Sequence, residues 1–172
     1  MASAADRRLF WLTASAVLVA DVVTKLLAAS LLARHLPVQL VGEYVQLRLV
    51  FNKCAAFGLC LWGEASSRWV FLGLAIVALF VLRSFVAATR PGDRFRILSL
   101  ALVCAGAVGN VVDRVRSAQG VVDFVDVGIG SARWPTFNVA DSAITVGAIA
   151  LAVSLWLEGR RRPGEEARAA EH

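Results

Sequence analysis

Residues 69–88, WVFLGLAIVALFVLRSFVAA, give the clearest indication of the fold class, because these twenty residues carry a single charged side chain, Arg83. A bilayer core about 30 Å thick needs about 20 helical residues, so this stretch predicts a membrane-spanning helix. A second long apolar stretch precedes it, and two shorter ones follow, which reach spanning length once their polar ends are included. We therefore predict four transmembrane helices, at about 9–31, 69–88, 97–115 and 138–158.

The composition of the whole chain agrees with a membrane protein. Its 172 residues are 58% hydrophobic and 18% charged, with a mean hydropathy of +0.67, well above the values of soluble proteins. The first apolar stretch is too long for a cleaved signal peptide and holds Asp21 and Lys25, so it predicts a retained helix. We expect one integral membrane domain, residues 1–158, followed by a disordered cytoplasmic tail, 159–172.

Arginine and lysine predict the orientation. Segments 1–8, 83–96 and 158–172 together hold ten, whereas the longer connections 32–68 and 113–137 hold seven. The positive-inside rule then places both termini in the cytoplasm and the two connections outside. The net charge of +5 is explained mostly by this orientation signal and could also contact anionic lipid, so it requires no nucleic-acid partner.

The two outer connections contain strand patterns. Residues 44–52 alternate between apolar and polar side chains, and residues 121–127, VVDFVDV, are β-rich and bounded by glycine. We predict that they pair in a small sheet on the outer bilayer surface, which brings Asn52, Asp123 and the start of the fourth helix to one level. Successive side chains of a strand point to opposite faces, so Asp126 should point away from the face of Asp123. We interpret Asp126 as a solvated or salt-bridged loop residue. The predicted fold class is a membrane all-α protein with a small antiparallel β element.

Polar residues inside the apolar stretches have structural and functional interpretations. Asp21 and Lys25 are four residues apart, which predicts an intrahelical ion pair, although Lys25 could also reach a substrate. Asn110 and Asp113 share a face at the end of the third helix, where Asp113 could be held by Arg114 and Asn110 could bond across helices.

Asn138 and Asp141 have the spacing of a helix capping box, which alone would explain both residues. Asp123 is harder to explain structurally, because a lone aspartate between valine and phenylalanine in a strand is costly unless it faces water or a partner. Two nearby carboxyl groups cannot both ionise readily, so one keeps a proton. Such a pair can activate water and protonate a carbonyl oxygen, which makes Asp123 and Asp141 the best candidates for catalytic residues.

Other hydrolytic chemistry has less support. The two histidines, His35 and His172, are far apart, and the three cysteines, 54, 60 and 104, form no C-x-x-C pattern, which predicts neither a zinc site nor a disulfide framework. No metal or cofactor is expected. A serine–lysine pair is a rival, but neither Lys25 nor Lys53 has an evident serine partner.

Five motifs in order make the sequence resemble the lipoprotein signal peptidase family, also called signal peptidase II, over residues 10–157. They are Asp21-x-x-Thr24-Lys25, Asn52-x-x-Ala55-Ala56-Phe57-Gly58, Gly109-Asn110-x-x-Asp113-Arg114, Val122-Asp123-Phe124 and Phe137-Asn138-Val139-Ala140-Asp141-Ser142.

The resemblance implies a membrane aspartic endopeptidase of the bacterial inner membrane, active at the extracytoplasmic face, that cuts prolipoproteins before a diacylglyceryl-modified cysteine and is blocked by globomycin. It implies that Asp123 and Asp141 are catalytic. Supporting or substrate-binding roles fall on Asp21, Lys25, Asn52, Asn110, Asp113, Arg114 and Asn138. The family usually has glycine where this chain has Cys54. We expect a monomer.

Two other function classes stay open. A small transporter or proton relay could use Asp21, Lys25 and Asp113 inside the membrane. A structural membrane partner without chemistry is the third alternative, and the number of polar groups at one face argues against it.

Overall fold

The computed structural model describes residues 3–33, 36–54 and 64–170. Within them four helices are long and apolar enough to cross a membrane. The elements confirm the predicted fold class, with two strands in each of two connections between helices. In chain order they are α1 Ala4–Leu31, β1 Val38–Val41, β2 Val45–Asn52, α2 Glu64–Ala88, α3 Arg94–Arg116, β3 Val121–Ile129, β4 Ala132–Arg133 and α4 Val139–Ala170. His35, Cys60 and the motif residues Ala55–Gly58 lie outside the described residues.

The helices start or end a few residues from their predicted bounds, for local reasons. α1 begins at Ala4 because Ser3 and Asp6 form a capping box in which each side chain accepts a hydrogen bond from the other's backbone N–H. α3 begins at Arg94 because the Asp93 side chain accepts from the backbone of Arg96. The helical backbone of α4 continues past residue 158 to Ala170.

α3 is the central helix of the bundle. Half of its apolar window is buried, against 6% for α2 and 17% for both α1 and α4. The close approach of α4 depends on Gly106, where an added Cβ would collide with the backbone carbonyl of Ala140. Most large apolar side chains on α2, including Trp69, Val77 and Phe80, point outward, as expected for a helix surrounded by lipid.

The strands form one antiparallel sheet with the order β1-β2-β3-β4. β2 pairs with β3 so that Val50 lies opposite Asp123 and Asn52 opposite Val121. The register shifts between Leu47 and Val50, so the simple alternation predicted for residues 44–52 does not hold along the whole strand. The pairing of the two predicted strands is confirmed, whereas β1 and β4 were not predicted.

Candidate active site

The start of α4 is fastened to β3 through Phe137. The Phe137 carbonyl accepts hydrogen bonds from the backbone N–H groups of Phe124 and Val125, and its own N–H donates to the carbonyl of Val125. This short bridge extends the sheet with the residues just before α4. It therefore brings Asp123 on β3 beside the first turn of α4, where Asn138 and Asp141 lie.

Asn138 and Asp141 do form the capping box that their spacing suggests. The backbone N–H of Asp141 donates to Oδ1 of Asn138 at 2.9 Å, and the backbone N–H of Asn138 donates to Oδ2 of Asp141 at 3.2 Å. The cap uses one oxygen of the Asp141 carboxyl and leaves the other, Oδ1, for a second partner. Capping and a place in the site therefore coexist in the same residue.

Asp123 is almost completely buried, with 2% of its surface exposed. Its Oδ1 accepts from Nδ2 of Asn138 at 2.7 Å, and its Oδ2 accepts from Nδ2 of Asn52 at 3.0 Å. Two amides from different elements thus fix the orientation of one carboxyl group. Asn138 is the direct link between the two aspartates, because it holds Asp123 with its side chain and Asp141 through the cap.

Asn110 on α3 holds the second carboxyl. Its Nδ2 donates to Oδ1 of Asp141 at 2.8 Å. Its Oδ1 accepts from Nζ of Lys25 at 3.1 Å and from Nδ2 of Asn138 at 3.3 Å. The amide of Asn110 is therefore oriented by a cation on one side and bonds a carboxylate on the other.

Lys25 lies at the centre of a buried ion cluster behind the site. Its Nζ is 2.8 Å from Oδ2 of Asp21 and 2.8 Å from Oδ2 of Asp113. The other oxygen of Asp21 accepts from the backbone N–H of Ala140 in α4. The predicted pair of Asp21 and Lys25 is present, but the expectation that Arg114 holds Asp113 was wrong. Lys25 takes that place because its Nζ reaches across from α1 to Asp113 on α3. The space that Gly109 leaves open on α3 is filled by the carboxyl group of Asp21.

Arg114 lies on the other side of α3, along a cavity of about 540 Å³. Its guanidinium donates to the carbonyl oxygens of Asn110 at 3.3 Å and of Cys54 at 3.1 Å, and it lies over the ring of Phe71. Its buried Nε has no hydrogen-bond partner among the described residues. The cavity is lined by Asn52, Cys54, Asn110, Arg114, Asp123 and Asp141, together with residues 134–137 and the start of α4.

The surroundings of Asp123 favour the protonated form of its carboxyl group. Burial, together with the nearby charge of Asp141, raises the pKa of Asp123 from 3.8 to about 7, although hydrogen bonds from Asn52 and Asn138 oppose this shift. Asp123 therefore tends to keep a proton near neutral pH. A neutral carboxyl beside a second carboxyl, in a cavity open to water, is an arrangement suited to general acid–base hydrolysis.

The other acid of β3 lies outside this arrangement. Asp126 forms an ion pair with Arg133 at 2.9 Å, so it is salt-bridged, which was one of the two predicted alternatives. It is a buried strand residue, however, and not a loop residue. Within residues 3–33, 36–54 and 64–170, no group of three or more His, Cys, Asp or Glu side chains is arranged to hold a metal ion.

Cys54 is the site residue whose role the sequence did not indicate. It forms a disulfide bond, whereas the cysteine pattern predicted no disulfide framework. The odd number of cysteines obscured this, because Cys104 on α3 is a free thiol. A signal in the sequence is that Cys54 is one of two cysteines in the connection between the first two helices.

The sequence and the fold are similar to those of known proteins. The sequence matches the model of the signal peptidase II family over residues 13–157. A lipoprotein signal peptidase of Methylobacterium sp. (strain 4-46) is 43% identical over 153 residues, which cover 86% of this chain and 89% of that protein. One of Syntrophus aciditrophicus (strain SB) is 36% identical over 148 residues, which cover 86% and 91%.

Two solved structures share the fold. Both are described as bacterial membrane enzymes determined by the in meso method, at 2.3 and 1.9 Å resolution. The first superposes with a TM-score of 0.78 at 29% identity, covering 87% of this chain and 88% of that one. The second gives a TM-score of 0.74 at 31% identity, with coverage of 85% and 91%.

Proposed function

We propose, because the chain belongs to the signal peptidase II family, that it removes signal peptides from prolipoproteins by activating water between Asp123 and Asp141. As a member of this family it is a membrane protease of the aspartic class. The finer parts of the proposal are the catalytic pair, the position of the cut and the side of the membrane.

The single observation that best supports the assignment of Asp123 and Asp141 as the catalytic pair is the position of Asn138. Its side chain donates to Asp123 at 2.7 Å, and its backbone donates to the carboxyl of Asp141. Both carboxyl groups therefore line the same cavity and are held by the same residue. A capping residue alone would not explain why its amide is directed at a second buried acid.

The proposed reaction needs one proton shared by the pair. Asp123 holds it near neutral pH, because burial and the charge of Asp141 raise the pKa of Asp123 to about 7. Ionised Asp141 removes a proton from water, and neutral Asp123 donates its proton to the oxygen of the scissile carbonyl. Water attacks that carbonyl directly and gives a tetrahedral intermediate that is not bonded to the enzyme. The proton that Asp141 took from water then passes to the amide nitrogen as the C–N bond breaks, and a hydroxyl proton of the intermediate returns to Asp123 as the new carboxyl group forms.

The substrate reaches the cavity from the membrane. A signal helix and the acyl chains of a lipid-modified residue lie in hydrocarbon, so the scissile bond arrives near the bilayer surface, where the sheet meets the helix ends. We propose a cut before a diacylglyceryl-modified cysteine, inhibition by globomycin, and a monomeric enzyme. Arg114 supports substrate binding, because its buried Nε is a donor with no partner among the described residues, beside the cavity.

The site lies at the extracytoplasmic face in this proposal, with both termini in the cytoplasm. The distribution of arginine and lysine supports this orientation. The disulfide at Cys54 supports it independently, because such bonds persist in oxidising compartments and are rare in the cytosol. Transport through Asp21, Lys25 and Asp113 receives no comparable support, since Nζ of Lys25 is paired with a carboxylate oxygen of each acid at 2.8 Å.

The test is gel-shift cleavage of a diacylglyceryl prolipoprotein by purified enzyme, with and without globomycin. Asp123→Asn and Asp141→Asn should each lower the rate by about 10²–10⁴-fold, the contribution typical of a general acid or base. Asp126→Asn is the matched control, because it removes an acid three residues along the same strand and should keep near-normal cleavage. Near-normal cleavage by either of the first two variants would exclude the pair.

A further inference from the structure

Cys54 lies two residues after Asn52, where the chain leaves β2 and passes along the cavity. It is buried, with 7% of its surface exposed, and it forms a disulfide bond. Cys104 is free, and Cys60, the remaining cysteine of the sequence, lies outside the described residues. Nothing in the reaction outlined above uses this bond.

Two backbone hydrogen bonds connect Cys54 to the site. Its N–H donates to Oδ1 of Asn52 at 3.0 Å, which is the turn that an asparagine makes with the residue two positions on. Its carbonyl oxygen accepts from the guanidinium of Arg114 at 3.1 Å. With Oδ1 held in this way, the amide of Asn52 directs Nδ2 at Oδ2 of Asp123, 3.0 Å away.

We propose that the disulfide at Cys54 is a positioning element for the reaction, which fixes the backbone that orients Asn52 and Arg114 toward Asp123. The proposal rests on the function proposed above. A chain leaving the end of a strand tends to open locally, and a covalent link at its second residue restricts that motion. The bond thereby holds Asn52 and Arg114 in place, as the capping box holds Asp141 in place.

The charges around Asp123 determine what loss of the bond should do. Asp141 faces it from α4 and opposes its ionisation, whereas the cation of Lys25 on α1 favours ionisation. Arg114 lies along the same cavity from α3. The hydrogen bond from Asn52 also favours ionisation, so releasing that amide should move the ionisation of Asp123 to higher pH. A disulfide that only stabilises the fold would not change this ionisation.

The test compares cleavage of a diacylglyceryl prolipoprotein across pH by folded wild-type enzyme before and after treatment with dithiothreitol. Reduction turns the bond into two thiols, while dithiothreitol becomes its own cyclic disulfide. We expect kcat to fall about tenfold, the size of one hydrogen bond to an ionisable group, and the basic limb of the pH profile to move to higher pH. Cys54→Ser should show both changes without reductant and no response to it. Cys104→Ser is the matched control and should behave as wild type.

Peptide mapping without reduction identifies the partner cysteine, for which the sequence offers Cys60, and thiol labelling confirms that reduction is complete. Unchanged kcat and pH profile after complete reduction would overturn the proposal. A loss of thermal stability alone would overturn it too, because it would make the bond a structural support. If Cys54→Ser does not fold, the reduced wild-type enzyme decides. Failure of the proposed function would appear separately, as cleavage by Asp123→Asn.

Discussion

Nδ2 of Asn138 lies 2.7 Å from Oδ1 of Asp123, and Asn138 is fully buried. The same residue caps α4 by accepting from the backbone N–H of Asp141. Asn138 therefore has two tasks that depend on different atoms. The oxygen of its amide stabilises a helix, and the nitrogen orients a carboxyl group.

Substitutions at Asn138 should separate these tasks. Asn138→Ala loses both, so the free energy of unfolding should fall by about 1 kcal/mol from the lost cap, and cleavage should fall by about 10²-fold from misplacement of Asp123. Asn138→Ser keeps a capping oxygen but has no amide nitrogen. It should recover most of the stability and little of the activity. Thermal unfolding in detergent and the cleavage assay measure the two effects, and normal cleavage by Asn138→Ser would contradict this division.

The raised pKa of Asp123 should make both stability and rate depend on pH. Between 3.8 and about 7 the folded chain keeps a proton on Asp123 that the unfolded chain has released. The contribution of Asp123 to stability therefore falls as the pH rises through this window, and it is constant above about 7. Thermal unfolding at a series of pH values gives the free energy of unfolding of wild type and of Asp123→Asn. The difference between the two should show this slope.

The rate should respond in the same direction. Neutral Asp123 is the proton donor in the proposed reaction, so kcat/KM should fall about tenfold per pH unit above about 7. Asp126→Asn should show the same profile as wild type. A rate that stays constant between pH 7 and 9 would show that a neutral Asp123 is not required.

Lys25 should be important for stability, because it pairs with the buried carboxylate of Asp21 and with the partly exposed carboxylate of Asp113. Lys25→Met leaves Asp21 and Asp113 without their cation and should lower the free energy of unfolding by about 3–5 kcal/mol. Adding Asp113→Asn should recover part of this loss. Arg90→Ala is the control, because Arg90 is mostly exposed and 3.8 Å from Glu158, so its loss should cost about 0–1 kcal/mol. Equal effects of Lys25→Met and Arg90→Ala would contradict this assignment.

The glycines of α3 should tolerate no side chain. An added Cβ at Gly109 would lie 2.5 Å from Oδ2 of Asp21 and 3.3 Å from the Cβ of Ala140. Gly109→Ala should therefore lower the free energy of unfolding by about 1–3 kcal/mol. Gly73→Ala on α2 is the matched control, since nothing lies within 4 Å of its added Cβ and alanine is the better helix former. Thermal unfolding in detergent should place the two variants on opposite sides of wild type.

Hydrophobic length predicted the first two helices directly and the last two once their polar ends were included, because a bilayer imposes a minimum span that few other structures need. The ends of the helices were less accurate, since Ser3 and Asp93 extend α1 and α3 through local hydrogen bonds. Strands β2 and β3 were predicted from their patterns, whereas β1 and β4 are short and lie where the sequence has no clear alternation.

The sequence predicted which polar residues come together better than it predicted the hydrogen bonds and ion pairs between them. Strand parity correctly separated Asp126 from Asp123. The sequence could not show that Lys25 and not Arg114 pairs with Asp113, because that choice depends on how α1 packs against α3. Nor could it show that Asn138 joins the two carboxyl groups, since this requires the bridge between Phe137 and Val125.

In the proposed mechanism, that bridge sets the stage of synthesis at which the site is complete. Asp123, Asn110 and Asn52 precede it in the chain, but the proposed pair of carboxyl groups is complete only after residues 137–141 have been made and α4 has docked. A ribosome-bound chain with three helices in the membrane thus has one acid of the proposed pair without the other. We therefore expect proteolytic activity only after α4 has docked, so that incomplete chains do not cut their neighbours in the bilayer.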